Sequence, residues 1–142
     1  MGNFATFRQA IKDILDARTG AGQPIVEVKD HFTKTFSGYP AVAFEPSDIV
    51  SDFETTTQNL RQYIFRIIVL QDIESEERGE ALGTLIDIID TLIDDIDKSE
   101  NLSGAADFVL AVPMEIGFFG KEEHQTMYAE MKVVCVKSVD IV

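Results

Sequence analysis

Between residues 60 and 97 the chain changes its period, and few folds accommodate that change. The stretch reads LRQYIFRIIVLQDIESEERGEALGTLIDIIDTLIDDID. Its first dozen residues place Tyr63, Phe65, Ile67 and Val69 on one side and Ile64, Ile68 and Leu70 on the other, without glycine or proline. β-branched and aromatic density of this kind predicts a strand. Both sides are apolar, so the strand is expected to be central and packed on each face. If all twelve residues are extended it spans about 40 Å, against roughly 20 Å for an ordinary strand. After Gln71, Leu82, Leu85, Ile86, Ile89, Leu92, Ile93 and Ile96 recur every three or four residues and predict a helix that lies on the sheet.

The surroundings of this unit limit what the protein can do. A chain of 142 residues with 45% apolar content fits one domain over residues 1–142. Folding at that length buries roughly two thirds of the unfolded surface. No apolar run approaches the ~20 residues of a membrane helix. Acidic residues outnumber basic ones 25 to 12, and a net charge of −13 repels phosphate and anionic lipid. Neither nucleic acid nor a membrane is expected as a direct partner. The first twenty residues read as an amphipathic helix and not as a secretory signal. The opening Met1-Gly2-Asn3-Phe4-Ala5-Thr6 matches the loose myristoylation pattern, but the polybasic second signal that stable anchoring needs does not accompany it.

Taken in order, Asn3 is a plausible N-cap for a helix whose stripe is Phe4, Phe7, Ala10, Ile11, Ile14 and Leu15, ending near Arg18 with Gly20 as its stop. Residues 20–24 follow a helix, so Gly20 and Gly22 predict a chain reversal; a phosphate cradle would follow a strand. Residues 25–29 alternate as an outer strand, and residues 41–44 form a short buried strand that Pro46 is expected to end. The polar segment 47–59 then joins two strands expected to pair. It is long for a hairpin connection, which leaves an extended β-arm or a binding loop. Ile49, Val50 and Phe53, with Asp52 and Glu54 between and beside them, are what it would present to a partner.

Ser75 is the expected cap of the second helix, with Glu76, Glu77 and Glu80 at its positive end. Gly79 and Gly83 each cost such a helix about 1 kcal/mol, which points to a close backbone approach there. The helix is expected to end near Lys98 and give way to a loop over residues 101–105. Residues 108–112 predict a strand closed by Pro113, and residues 127–136 a last strand pairing antiparallel with it. Their connection, residues 115–125, carries Phe118 and Phe119 and is either a second contact loop or a fold-back onto the core. The fold class expected is α+β: a mixed, mostly antiparallel sheet of four to five strands with two helices on one face.

Candidate chemistry is sparse. Asp87, Asp90, Asp94 and Asp97 share one helix face. A hard cation wants converging oxygens that a helix face does not supply, so a solvated face is the default reading. His31 and His124 lack metal-ligand spacing and read as surface or loop residues. Cys135, the single cysteine, sits among valines as a small core side chain, and a reducing compartment fits it. No nucleophile turn is present, and no cofactor or metal is expected.

Tyr39 to Phe44 read YPAVAF; with the strand carrying Tyr63, Phe65, Ile67 and Val69 and the stripe from Leu82 to Ile96, this order of elements resembles the tail terminator (tail completion) proteins of long-tailed bacteriophages. The likeness covers about residues 4–139 and is one of element order and texture. It implies a virion structural protein without catalytic activity, assembled in the host cytoplasm and resident at the tail–head junction. It implies a homo-oligomeric ring, typically a hexamer, that stops growth of the tail tube and joins it to the head connector and neck proteins. DNA would pass through the ring without being bound. Segment 47–59 and the connection 115–125 would then meet neighbours, and the Asp87, Asp90, Asp94 and Asp97 stripe is one candidate for the channel wall. Two other classes stay open on the residues alone: a small-ligand or regulatory α+β domain, and an enzyme subunit.

Overall fold

Strand β3 (Gln58–Asp72) is the third of five in a sheet ordered β1-β2-β3-β5-β4, with β1 (Glu27–Lys29), β2 (Ala41–Phe53), β4 (Phe108–Lys121) and β5 (His124–Asp140). A computed structural model of the chain describes residues 3–33, 36–53, 58–73, 78–121 and 124–140. β1 runs parallel to β2, and every other pair is antiparallel. Three helices accompany the sheet: α1 (Asn3–Asp16), α2 (Arg78–Asp97) and the one-turn α3 (Glu100–Ser103). The architecture is a single α+β domain with an open, mixed sheet, as the alternation of periods predicts.

The core lies between the helices and one face of the sheet. Phe7, Ile11 and Leu15 of α1 meet Tyr63 and Phe65, with ring centroids of Phe7 and Tyr63 5.2 Å apart and of Phe4 and Phe65 5.1 Å apart. α2 contributes Ala81, Leu85, Ile88, Ile89, Leu92 and Ile96. Ile86, expected in the stripe, is exposed. β5 adds Met127, Ala129, Met131, Val133 and Cys135, the face read from the sequence. Arg18 donates two hydrogen bonds to Asp95, at 2.8 and 2.9 Å, and ties α1 to α2.

The second face of β3 departs from expectation. Tyr63, Phe65, Ile67 and Val69 are buried, whereas on the opposite side Leu70 is buried as expected but Ile64, Arg66 and Ile68 are only half-buried. No described helix covers that face, and only the segment 30–33 lies over part of it, through Phe32. The strands are also longer than the sequence implies. β2 continues through Pro46 to Phe53 and β4 through Pro113 to Lys121, each with a register shift just past its proline. Proline is tolerated there because an edge strand can turn the missing donor away from its ladder, and a bulge absorbs the irregularity. Segment 47–59 is therefore a projecting β-arm over its described part. Phe118 and Phe119 lie in a strand, not a loop.

Gly20 at φ +115 and Gly22 at φ +78 make the expected reversal. Among the described residues Gly79 and Gly83 have no close neighbour: a Cβ at either would meet nothing within 4 Å, so the expected backbone approach is not found there. The proposed cap Ser75, with Glu76 and Glu77, lies outside the described residues. The expected loop after α2 contains α3, whose four residues all have positive φ between 53 and 60. Such a turn is strained by roughly 1–2 kcal/mol per residue. The buried Leu102 and the Ser99 hydroxyl, which accepts from the Leu102 amide at 3.1 Å, hold it in place.

The one-sided core sets a measurable asymmetry. Phe65→Ala is expected to lower the unfolding free energy by about 3–5 kcal/mol. Ile64→Ser, one residue away on the open face, should cost less than half as much in chemical denaturation. Equal costs would mean that the second face is covered in the isolated chain.

Candidate functional site

The open face is built around a charged pair in the middle of an apolar strand. Arg66 Nε donates to Glu130 Oε1 on the neighbouring strand, and Glu130 is 4% exposed. The Glu130 carboxylate holds the Arg66 guanidinium above its ordinary pKa against the opposing effect of burial, with Glu45 and Glu115 adding smaller contributions. The guanidinium also sits 5.2 Å from the centroid of Phe32. Next to this pair Tyr128 donates its hydroxyl to Glu115 at 3.1 Å, which raises the Tyr128 pKa, with burial acting in the same direction. Tyr128 lies across Gly117, directly opposite in register, where a Cβ would come within 2.7 Å of its hydroxyl. A glycine is needed at that position for the ring to lie flat on the sheet.

These groups and Ala43, Ile68 and Leu70 line a cavity of about 260 Å³ under Phe32 and Thr33. The Phe32 amide of its roof donates to Glu45 of β2 at 3.4 Å. Glu27 of β1 accepts from the Ser37 amide and hydroxyl, both at 2.6 Å, and these two bonds, followed by Lys29, hold its carboxyl down at about 2.

Further along the same face, toward the arm, the surface turns apolar and bare. Phe108 is 55% and Leu110 47% exposed, beside half-buried Ile64, Val134 and Val136. Met114, Ile116 and Phe118 of the same strand are exposed as well, so most exposed large apolar side chains among the described residues belong to β4. β4 is also an edge strand, paired only with β5.

The arm candidates fall at the far end of β2. Ile49 is exposed and pairs in register with Tyr63; Val50, Asp52 and Phe53 pair with Gln62, Leu60 and Asn59. Glu54 lies outside the described residues. At the base of the arm Arg61 and Lys137 are register partners, and neither has an ion pair among the described residues. Like charges directly opposite are unfavourable, and here they sit in a strongly acidic chain. Asp87, Asp90, Asp94 and Asp97 are all exposed on the solvent side of α2. Among the described residues no three His, Cys, Asp or Glu side chains converge as a metal site would require. Phe118 and Phe119 are not near the arm in register: β4 pairs them with Met127 and Thr126, at the opposite end of β5.

Cys135 is buried, and burial pushes its thiol up to about 12. His31 is an exposed loop residue beside Asp30, whereas His124 opens β5. The Arg66–Glu130 pair and the Tyr128–Glu115 bond were missed in the sequence. Their signals were an arginine inside YIFRIIVL and a glutamate inside the alternating last strand. No family model matches this chain, and no curated protein matches it. No described helix is long and apolar enough to cross a membrane.

Two outcomes follow from this geometry. Arg66→Met leaves Glu130 buried without its cation and is expected to cost about 2–3 kcal/mol, at the low end for a broken buried pair because Arg66 is partly solvated. The double change Arg66→Met, Glu130→Leu should recover most of that loss in denaturation experiments. No recovery would mean the pair is not what holds the two side chains there. Glu27 contributes fully above its ordinary value of 4.5, and the contribution is lost as pH falls through about 2. A carboxyl-carbon NMR titration should place its midpoint near 2 and move it upward in Ser37→Ala; a midpoint at the ordinary value would contradict the bonds from Ser37.

Proposed function

We propose that the protein is a virion structural protein of a long-tailed bacteriophage, a tail terminator that assembles as a ring, caps the tail tube and joins it to the head connector. The observation that carries this reading is the number of built surfaces a single copy leaves uncovered. A long β-arm, an apolar edge strand and a bare half of the sheet's open face all lack an intrachain partner among the described residues. An isolated domain gains nothing from such features, while a ring subunit needs separate surfaces for its neighbours, the tube and the connector. The exposed aspartate stripe on α2 adds a surface that would not retain DNA in transit. Another neck or head-completion component would use the same features in the same way.

The cavity beside Arg66 and Glu130 supports a second reading, a small-ligand or regulatory domain, since apolar walls with a few fixed polar groups suit a small molecule. Native mass separates the two. Light scattering at low and high protein concentration, with particles imaged by negative stain, should show about six subunits for the ring. A stable closed dimer, or a monomer whose thermal stability rises with a small ligand, would favour the second reading. Serine at Ile49, Val50 and Phe53 together should abolish joining of tails to heads while leaving the subunit folded. Intact virions from that variant would remove the arm from the docking surface.

A further inference from the structure

Any ring of this chain needs two surfaces of one copy that fit each other, and the sheet supplies a matched pair. Among the described residues β1 pairs with β2 only at Ala41, Val42 and Ala43, so no strand pairs with the outer edge of β2 from Phe44 onward, where the Phe32 amide donates to the Glu45 carboxylate at 3.4 Å. The outer edge of β4 is unpaired at the other end of the sheet. Following the register across the strands, Asp48 lies level with Ile64, Ile64 with Val134, and Val134 with Leu110. By the same register Phe44 lies level with Pro113 and Val50 with Phe108, so the free part of β2 runs alongside the height of the first half of β4.

Resting on the ring reading, we propose that neighbouring copies join edge to edge, the β2 arm of one pairing with the first half of β4 of the next. Three observations favour a second copy as the occupant. First, direction: β2 and β4 run oppositely within the sheet. A copy rotated about an axis along the strands therefore brings β2 beside β4 antiparallel, as in every pairing but that of β1. Second, charge: residues 108–114 carry no charge, and Lys132, one strand inward from Val112, has no ion pair among the described residues. The free β2 edge carries the exposed Asp48 at the same height, while Glu45 is half-buried beside Phe32 and Arg66. The acidic edge thus meets an uncharged strand backed by a spare cation. Third, economy of edges: one contact covers the free part of β2 and the first half of β4 together, and because its two sides differ it propagates head to tail until the ring closes. A twofold contact of β4 with β4 would leave the β2 edge open. Pro46 and Pro113 confine each pairing run to a few residues, which discourages indefinite sheet growth.

The test mixes two versions of the full chain, an affinity-tagged Asp48→Cys and an untagged Leu110→Cys, with a short bismaleimide cross-linker. Buried Cys135 keeps the unmodified chain as a non-reacting control. The expected result is a tagged–untagged product that neither version forms alone, and a Lys132→Glu background that loses most of it. Dimers of Leu110→Cys alone would overturn the proposal in favour of a β4–β4 contact. Ring-sized particles without the mixed product would overturn the pairing and leave the ring standing. The mixed product in open chains without rings would support the pairing and count against the ring. A mass of one chain at every concentration, with no product, overturns both.

Discussion

Everything in this molecule depends on β3 being paired along both edges while helices cover only one of its faces. Paired on both sides, the strand has its backbone polar groups taken up in ladders with β2 and β5, which lets a strand of roughly 50 Å stand without helices along its whole length. Covered on one face, it gives α1 and α2 a single core made of Phe65, Ile67, Phe7, Leu85 and Leu92. The other face cannot then be fully apolar in water. The Arg66–Glu130 pair and Tyr128 on Gly117 make its middle polar, under the partial cover of Phe32 and Thr33. Toward the arm no such device is present, and the face becomes a surface that assembly would bury.

Much of this was legible in the residues, and what was not has a physical cause. The change of period after Gln71 was enough to place β3 and α2, and the positions of Met127 to Cys135 were enough to place the inner face of β5. Two apolar sides on β3 predict cover on both faces, because periodicity shows which side chains are apolar and not what lies over them. Ile64 and Ile68 read as core for that reason.

The proline positions misled in a related way. Pro46 and Pro113 look like strand ends, and in a central strand they would be. β2 beyond Ala43 and β4 are edges, where a missing donor can face outward and a bulge resets the register. The prolines therefore predict two strands that are too short, leave segment 47–59 open between a β-arm and a binding loop, and make the connection 115–125 look like a loop although its described part is strand. α3 is hard to read from the sequence because, of its four residues at positive φ, only Asn101 is of a type that favours that region; Glu100, Leu102 and Ser103 are not. The aspartate stripe, by contrast, lies where its spacing put it, exposed on α2, and Asp95 between its members is the one that binds Arg18.

The most direct test of the central claim, that one copy leaves an edge and half a face to be covered by others, is amide hydrogen exchange read strand by strand at low and high protein concentration. β3 should be protected in both. Residues 108–112 of β4 should exchange quickly in dilute protein and become protected as the concentration rises, together with the free part of β2. β4 as slow as β3 in dilute monomer, or fast at every concentration, would contradict the account.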